Sequence, residues 1–343
     1  MRKLRQSLAL LACAALGLSV LAAAPARAAD TLTHVTIAQT SNSLGWAGNY
    51  IADSEGFFRQ QKLDVDIQIV GGGDPQVFAA MRSGGAQFGA VTTIAALEAL
   101  SKGEPLKMIS PYVDQFVVQI VMNPDFAKKH GITDKMPLKE KFARLKGAIV
   151  GTLDVGGGLD LLFRGLAKEY GLSVDQDFTE TAIHSYAALL AACKRGEVNV
   201  ALTAIPYGTV GTQEYGLVSI ADFWSGGVPE FDGAVHEGLF VTKEYAAGQP
   251  DVVDRMQRAL GQAYAFIHQH PDRAVEDLHK RFPALPVRAI QTLIVTDAAS
   301  YPSNVTVSKR GFEIVRDFVA SYIVPSAKSI GYRDVVLPSA QQK

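Results

Sequence analysis

Two series of alternating strand and helix patterns, with no tether between them, constrain this chain more than any other feature of its 343 residues. His34 to Ala38 reads as a short buried strand, and Gly45 to Glu55 as a helix stopped at Gly56. Leu63 to Val70 alternates apolar and polar residues (Leu63, Val65, Ile67, Ile69), the period of a strand. Gly71-Gly72-Gly73-Asp74-Pro75 breaks the chain before Val77, Phe78 and Met81 resume helical spacing. Phe88 to Val91 is a strand, and Ile94, Leu97 and Leu100 mark a helix ended at Gly103. Such βαβα order predicts a mostly parallel sheet with helices on both faces.

A second series starts near Ala148, after the apolar run Val117 to Met122 and the breaker Asn123-Pro124. Ile149 to Thr152 is a strand, Asp154-Val155-Gly156-Gly157-Gly158 a glycine-rich turn, and Leu159 to Tyr170 a helix ended at Gly171. Val198 to Thr203 is another strand, and Pro206 suits the first turn of the next helix. After a strand at Gly238 to Thr242 only helices are expected, with faces such as Val252-Val253-Met256-Leu260 and Phe312-Val315-Phe318-Val319. Two α/β lobes without a linker imply lobes joined by strands, and the C-terminal helices need another surface for their apolar faces.

Charge excludes one class of function and the first residues bound the compartment. Thirty-three Lys and Arg stand against 34 Asp and Glu, so no bulk positive charge draws the chain to nucleic acid. Arg2, Lys3 and Arg5, the apolar stretch Leu8 to Ala24, and Ala26-Arg27-Ala28 have the layout of a secretory signal peptide, residues 1–28, cleaved before Ala29. An apolar run of this length is at the short limit for a membrane span. Loss of Arg2, Lys3, Arg5 and Arg27 turns a formal charge of −1 into −5. Leu10-Leu11-Ala12-Cys13 resembles a lipobox only loosely, because Leu11 is bulky where a small residue is usual. Cys193 would then be alone in a periplasmic chain, without an internal disulfide partner, and its spacing from Tyr186, Leu189 and Leu190 places it in a core.

The motifs resemble those of the substrate-binding proteins of ABC importers, in the nitrate, sulfonate, taurine and thiamine-pyrimidine branch. Ala52-Asp53-Ser54-Glu55-Gly56-Phe57-Phe58 with Leu63-Asp64-Val65 is one motif, Gly73-Asp74-Pro75 a second and Ala86-Gln87-Phe88-Gly89-Ala90-Val91 a third. Leu145-Lys146-Gly147, Gly196-Glu197-Val198 with Pro206-Tyr207, and Val241-Thr242-Lys243 before Pro250-Asp251-Val252 follow in order. The resemblance covers roughly Val35 to Tyr322. It implies an α/β type II periplasmic-binding fold: lobe one from residues 29–115 and 232–343, lobe two from 116–231, joined by two crossover segments. It further implies a monomer that captures a small-molecule ligand and delivers it to a membrane permease with its ATPase, with no cofactor, catalytic residue or resident metal.

Ligands of open α/β sheets bind where the carboxyl ends of strands lie. Ser41, Asn42 and Trp46 follow the first strand, Asp74 and Gln76 the second, and Thr92 and Thr93 the third. Across from them, Asp154 and the free amides of Gly156, Gly157 and Gly158 at a helix start attract an anion. Thr203 and Tyr207 flank Pro206, while Gln115 and His236 lie at the expected crossovers. The family often has Trp-Asp-Pro-Tyr where this chain has Ala204-Ile205-Pro206-Tyr207, so Ile205 replaces a carboxylate and a taurine-like amine loses its counter-charge. These features point to a small organic anion, a sulfonate or carboxylate with an uncharged and perhaps aromatic body, ahead of nitrate. Alternatives from other classes are a dehydratase-like acid/base enzyme built on Glu237 or Asp154, and a sensory binding protein. His268 and His270 are two apart on a helix and diverge, unlike a metal pair at i, i+4.

Overall fold

The apolar runs assemble into two five-stranded sheets in a computed structural model that describes residues 31–342. The expected signal peptide, its expected cleavage point and Cys13 lie outside the described residues. In the first half, β1 (Thr33–Gln39), β2 (Leu63–Ile69), β3 (Phe88–Thr92) and β4 (Leu106–Val113) are followed by five strands of the second sheet. These are β5 (Val118–Met122), β6 (Ile149–Thr152), β7 (Thr179–Ala182), β8 (Val200–Ala204) and β9 (Val218–Asp222). The chain then returns as β10 (Glu237–Thr242). The sheet orders are β2-β1-β3-β10-β4 and β7-β6-β8-β5-β9. Every residue of β3, β5 and β8 is buried, which is why these strands read as unbroken apolar runs rather than alternating ones.

Both sheets are mixed, a correction to the mostly parallel expectation. β1 pairs in parallel with β2 and β3, and β6 with β7 and β8. The strands that arrive from the other sheet run antiparallel to their neighbours: β10 against β3 and β4, β5 against β8 and β9. Strands β4, β7 and β9 were not legible as strands. Ser110-Pro111 interrupts the first, and the other two carry polar residues at half-buried positions. Isolated bridges Met108↔Val336 and Val307↔Gln341 also occur beyond the last strand, where only helices were expected.

The chain crosses between sheets after Val113 and again between Asp222 and Glu237. Gln115 ties the two crossings together: its Nε2 donates to the Phe223 carbonyl (3.0 Å), and its Oε1 accepts from the Gly233 N–H (3.0 Å). Phe116 of one crossing lies against His236 of the other, with ring centroids 4.3 Å apart.

The C-terminal helices find their second surface as expected. Pro250–Gln269 and Pro271–Arg281 pack on the helix Ala47–Ser54 beside the first sheet, and Lys309–Tyr322 reaches the helix Gly158–Glu169 beside the second. There Gly165 leaves no room for a Cβ against the Phe318 ring, so the two helices approach closely. Both sheets belong to one compact unit that starts at Leu32, and no described helix is long and apolar enough to cross a membrane.

Candidate functional site

The carboxyl ends of the strands in the two sheets face each other, and their loops meet at a buried carboxylate. After β2, consecutive left-handed glycines Gly72 (φ 94°) and Gly73 (φ 72°) turn the chain into the helix Gly73–Arg82, conformations that side chains rarely adopt. This turn presents Asp74, 2% exposed, to three donors. They are the Thr92 N–H (3.1 Å), the Thr92 hydroxyl (3.0 Å) and, from the opposite sheet, the Gly158 N–H (2.8 Å). Thr92 also caps the helix Thr93–Ser101 by accepting the Ala95 N–H (3.3 Å). Burial pushes the Asp74 carboxyl up to about 6 despite these bonds, with the nearby Asp154 charge adding to the rise.

Asp154 in turn lies against the opposite loop, where a Cβ on Gly73 would collide with it. It pairs with His184 Nδ1 (3.1 Å), while partial burial holds its carboxyl above the usual range. Tyr186 lines the interlobe cavities with Ser41 and stacks on Tyr207 (centroids 4.5 Å, interplanar 24°), and the Tyr207 hydroxyl reaches the Asn42 carbonyl (3.5 Å).

Between these groups lie an inner cavity of about 30 Å³, the size of one water, and an adjoining outer one of about 340 Å³. Thr40, Ser41, Leu153, Asp154 and Tyr186 line both. The inner cavity is further bounded by Asp74, Thr92, Gly157, Gly158 and Glu237. Glu237 is 3% exposed, no hydrogen bond reaches its Oε2, and burial followed by the Asp74 charge holds its carboxyl well above the usual range. Among the described residues, no Lys or Arg lines either cavity. Two larger depressions, of about 530 Å³ near Tyr245 and about 550 Å³ near Arg288, contain no buried polar side chain without a partner among the described residues. The interlobe cleft is therefore the better candidate.

The structure brings Ser41, Asn42, Asp74, Thr92, Asp154, Gly157, Gly158 and Tyr207 to these cavities. Trp46 is buried next to them, edge-on to Tyr112 (5.1 Å), with an unpartnered indole N–H. Thr93 is buried behind Thr92, its N–H donating to the His236 carbonyl (2.7 Å). Four expected residues stand elsewhere. Gln76 is exposed and packs over Gly72, Thr203 donates to the Gln119 carbonyl within the second sheet (2.6 Å), and Gln115 and His236 sit at the crossings. His268 meets the carbonyls of Tyr301 and Pro302 (both 3.2 Å).

The amides expected to hold an anion are engaged by the chain's own oxygens. Gly158 N–H donates to Asp74, Gly156 N–H to Asp160 Oδ2 (2.7 Å), and Gly157 N–H approaches the Asp154 carbonyl (3.4 Å). The close approach falls on Gly158, where a Cβ would collide with Thr92, whereas one on Gly157 would meet only ordinary contacts. Sequence reasoning passed over Thr40 and Tyr186, and weighed Glu237 beside His236 as a cleft-lining or structural pair and as an acid/base group of an alternative enzyme, without placing it among the ligand contacts. The signal for Tyr186 was its place at a helix start after Ser185, the layout that had drawn attention to Thr92.

A family model described as NMT1/THI5 like matches residues 44–274. A protein of Bordetella bronchiseptica RB50 is similar in structure, with a TM-score of 0.78 at 16% identity over 89% of this chain and 94% of that one. The alkanesulfonate-binding protein SsuA of Xanthomonas axonopodis pv. citri, bound to MOPS, has a TM-score of 0.63 at 18% identity over 90% and 98%. The periplasmic nitrate-binding protein NrtA of Synechocystis PCC 6803 has a TM-score of 0.61 at 16% identity over 77% and 70%. At such identities the likeness is one of fold. The curated binding protein YtlA of Bacillus subtilis is 38% identical over 55 residues, which span 16% of this chain and 16% of that protein.

Proposed function

The chain belongs to the NMT1/THI5-like family, and from that premise we propose that it is the exported solute-binding component of an ABC importer. It captures a small organic solute between its lobes as a monomer and hands it to a membrane permease with its ATPase. The lobes divide at the two crossings, near Gln115 and Phe116 and near Phe231 to His236, and these segments act as the hinge. The names of the sulfonate- and nitrate-binding neighbours support a transport role, as does the apolar leader.

The observation that carries the ligand class is the set of carboxyls around the cleft. Asp74 already accepts the Gly158 N–H, and Glu237 adds a buried oxygen with no partner. A ligand that supplies N–H or O–H donors, neutral or cationic, completes such a site, whereas an anion meets carboxyls without a lysine or arginine. Glu237 thus provides the acidic group that Ile205 removes from the family's usual position. The second reading keeps the organic anion at Gly156 to Gly158, favoured by three glycine amides at one helix start, and needs Asp74 to leave Gly158 on binding.

A thermal-shift screen of amines, amides, nitrogen heterocycles, sulfonates, carboxylates and nitrate tests both, since a ligand bound to the folded state raises the melting temperature. Stabilisation by donor-bearing neutral or cationic solutes is expected. Stabilisation by sulfonates or carboxylates alone would return the assignment to the anion. Turnover of a bound solute would instead point to an acid/base enzyme using Glu237 or Asp154.

A further inference from the structure

Glu237 opens β10 and pairs with Thr92 across the ladder, so its backbone is held at the centre of the first sheet. Its side chain turns to the short helical turn Leu44–Trp46, where Gly45 leaves no room for a Cβ against Oε2. Beside Gly45, the buried Trp46 indole N–H has no partner. The charged and titratable groups around the carboxyl are Asp74 from the helix after β2, Asp154 and Tyr186 across the inner cavity, Tyr50, Tyr112 of β4, Tyr301, and His236 at 3.8 Å from Oε1. His236 is fully buried and burial lowers it to about 3, so it brings no positive charge at neutral pH. Around Glu237 the described residues thus supply acidic and phenolic groups, aromatic walls and no cation.

We propose that Glu237 is the anchor for a cationic group of the ligand, and that it gives its proton to solvent as that cation binds. This rests on the interlobe cleft being the ligand site. A buried carboxyl without a counter-charge keeps its proton, as the strong upward displacement by burial implies. A bound amidinium or ammonium supplies the missing counter-charge, and the carboxylate then forms a charge-assisted hydrogen bond with the ligand N–H. The balance is one O–H bond broken at Glu237 and one proton released to buffer. Tyr186, which lines both cavities, and Tyr207, which lines the outer one, provide aromatic surface beside a flat cation.

Three isosteric probes separate the possibilities: benzamidine, benzamide and benzoate. Isothermal titration calorimetry in two buffers of different ionisation enthalpy should give release of about one proton per bound benzamidine, and affinity rising about tenfold per pH unit while Glu237 stays protonated in the free protein. In Glu237→Gln, with folding checked by circular dichroism, benzamidine should bind about tenfold more weakly and with no proton release. The proton count in the unmutated protein does not depend on that variant folding. Benzamidine bound without proton release, benzamide bound more tightly than benzamidine, or no response to benzamidine overturns the proposal and leaves the cleft reading standing. Preference for benzoate overturns the proposal together with the donor-bearing ligand class, and returns the anion reading at Gly156 to Gly158.

Discussion

Asp74 and Gly158, from opposite sheets, are joined by a 2.8 Å hydrogen bond from the Gly158 N–H to Asp74 Oδ2. Beside it, Asp154 lies against Gly73, so each loop brings a carboxylate up to a glycine of the other. Glycine is required at both places, because a Cβ on Gly158 would collide with Thr92 and one on Gly73 with Asp154.

The ionisation of Asp74 should cost stability. Its folded-state pKa is raised from 3.8 to about 6, so between those values the folded state holds more protons than the unfolded one. Stability contributed by Asp74 is therefore full below about pH 4 and lost as pH rises through about 6. The unfolding free energy of the unmutated protein relative to Asp74→Asn should fall by about 2.5 kcal/mol from pH 4 to pH 7 in urea titrations. Parallel pH profiles for the two proteins would refute this.

Gly158→Ala should keep the lobes apart. The backbone angles there suit alanine, but its Cβ meets the Thr92 side chain across the cleft. Scattering should show a larger radius of gyration and binding should weaken, while circular dichroism stays unchanged. Gly157→Ala, with only ordinary contacts, should behave like the unmutated protein.

Arg164 should be the most costly single charge to remove from the second lobe. Its guanidinium joins Asp160 (3.1 Å), Asp175 (2.7 Å) and Glu180, and Asp160 is fully buried while it holds the Gly156 N–H. Arg164→Ala leaves a buried carboxylate without its cation, a loss of about 3 kcal/mol in chemical denaturation. A cost under about 0.5 kcal/mol would mean that water replaces the guanidinium.

Cys193 should be inert in the folded protein. It is fully buried between Leu189, Leu190 and Val198, and burial pushes its thiol up to about 12. A thiol-specific chromogenic reagent should react only on unfolding. Rapid labelling under native conditions would show that this part of the second lobe opens.

Much of the fold was legible because burial leaves a periodic trace. The continuous runs at Phe88–Thr92 and Val200–Ala204 are central strands, and the Leu159-Leu162-Phe163-Leu166 face is the buried side of its helix. Edge strand β7, Thr179–Ala182, left no such trace because half-exposed polar residues satisfy it equally well as loop. At the site, Gly156 to Gly158 were conspicuous as glycines, but their hydrogen-bond partners were not. Asp74 is 84 residues from Gly158, and nothing local indicates that it faces that amide.

The amino-acid sequence by itself determined the α/β alternation, the glycine turns at the strand ends and the capping threonines, since each follows from local periodicity and backbone preference. Only the tertiary structure decided the electrostatic character of the cleft. Burial and opposed loops, which depend on how distant segments pack, turned a set of free amides into donors for the chain's own carboxylates and left Glu237 enclosed without a counter-charge.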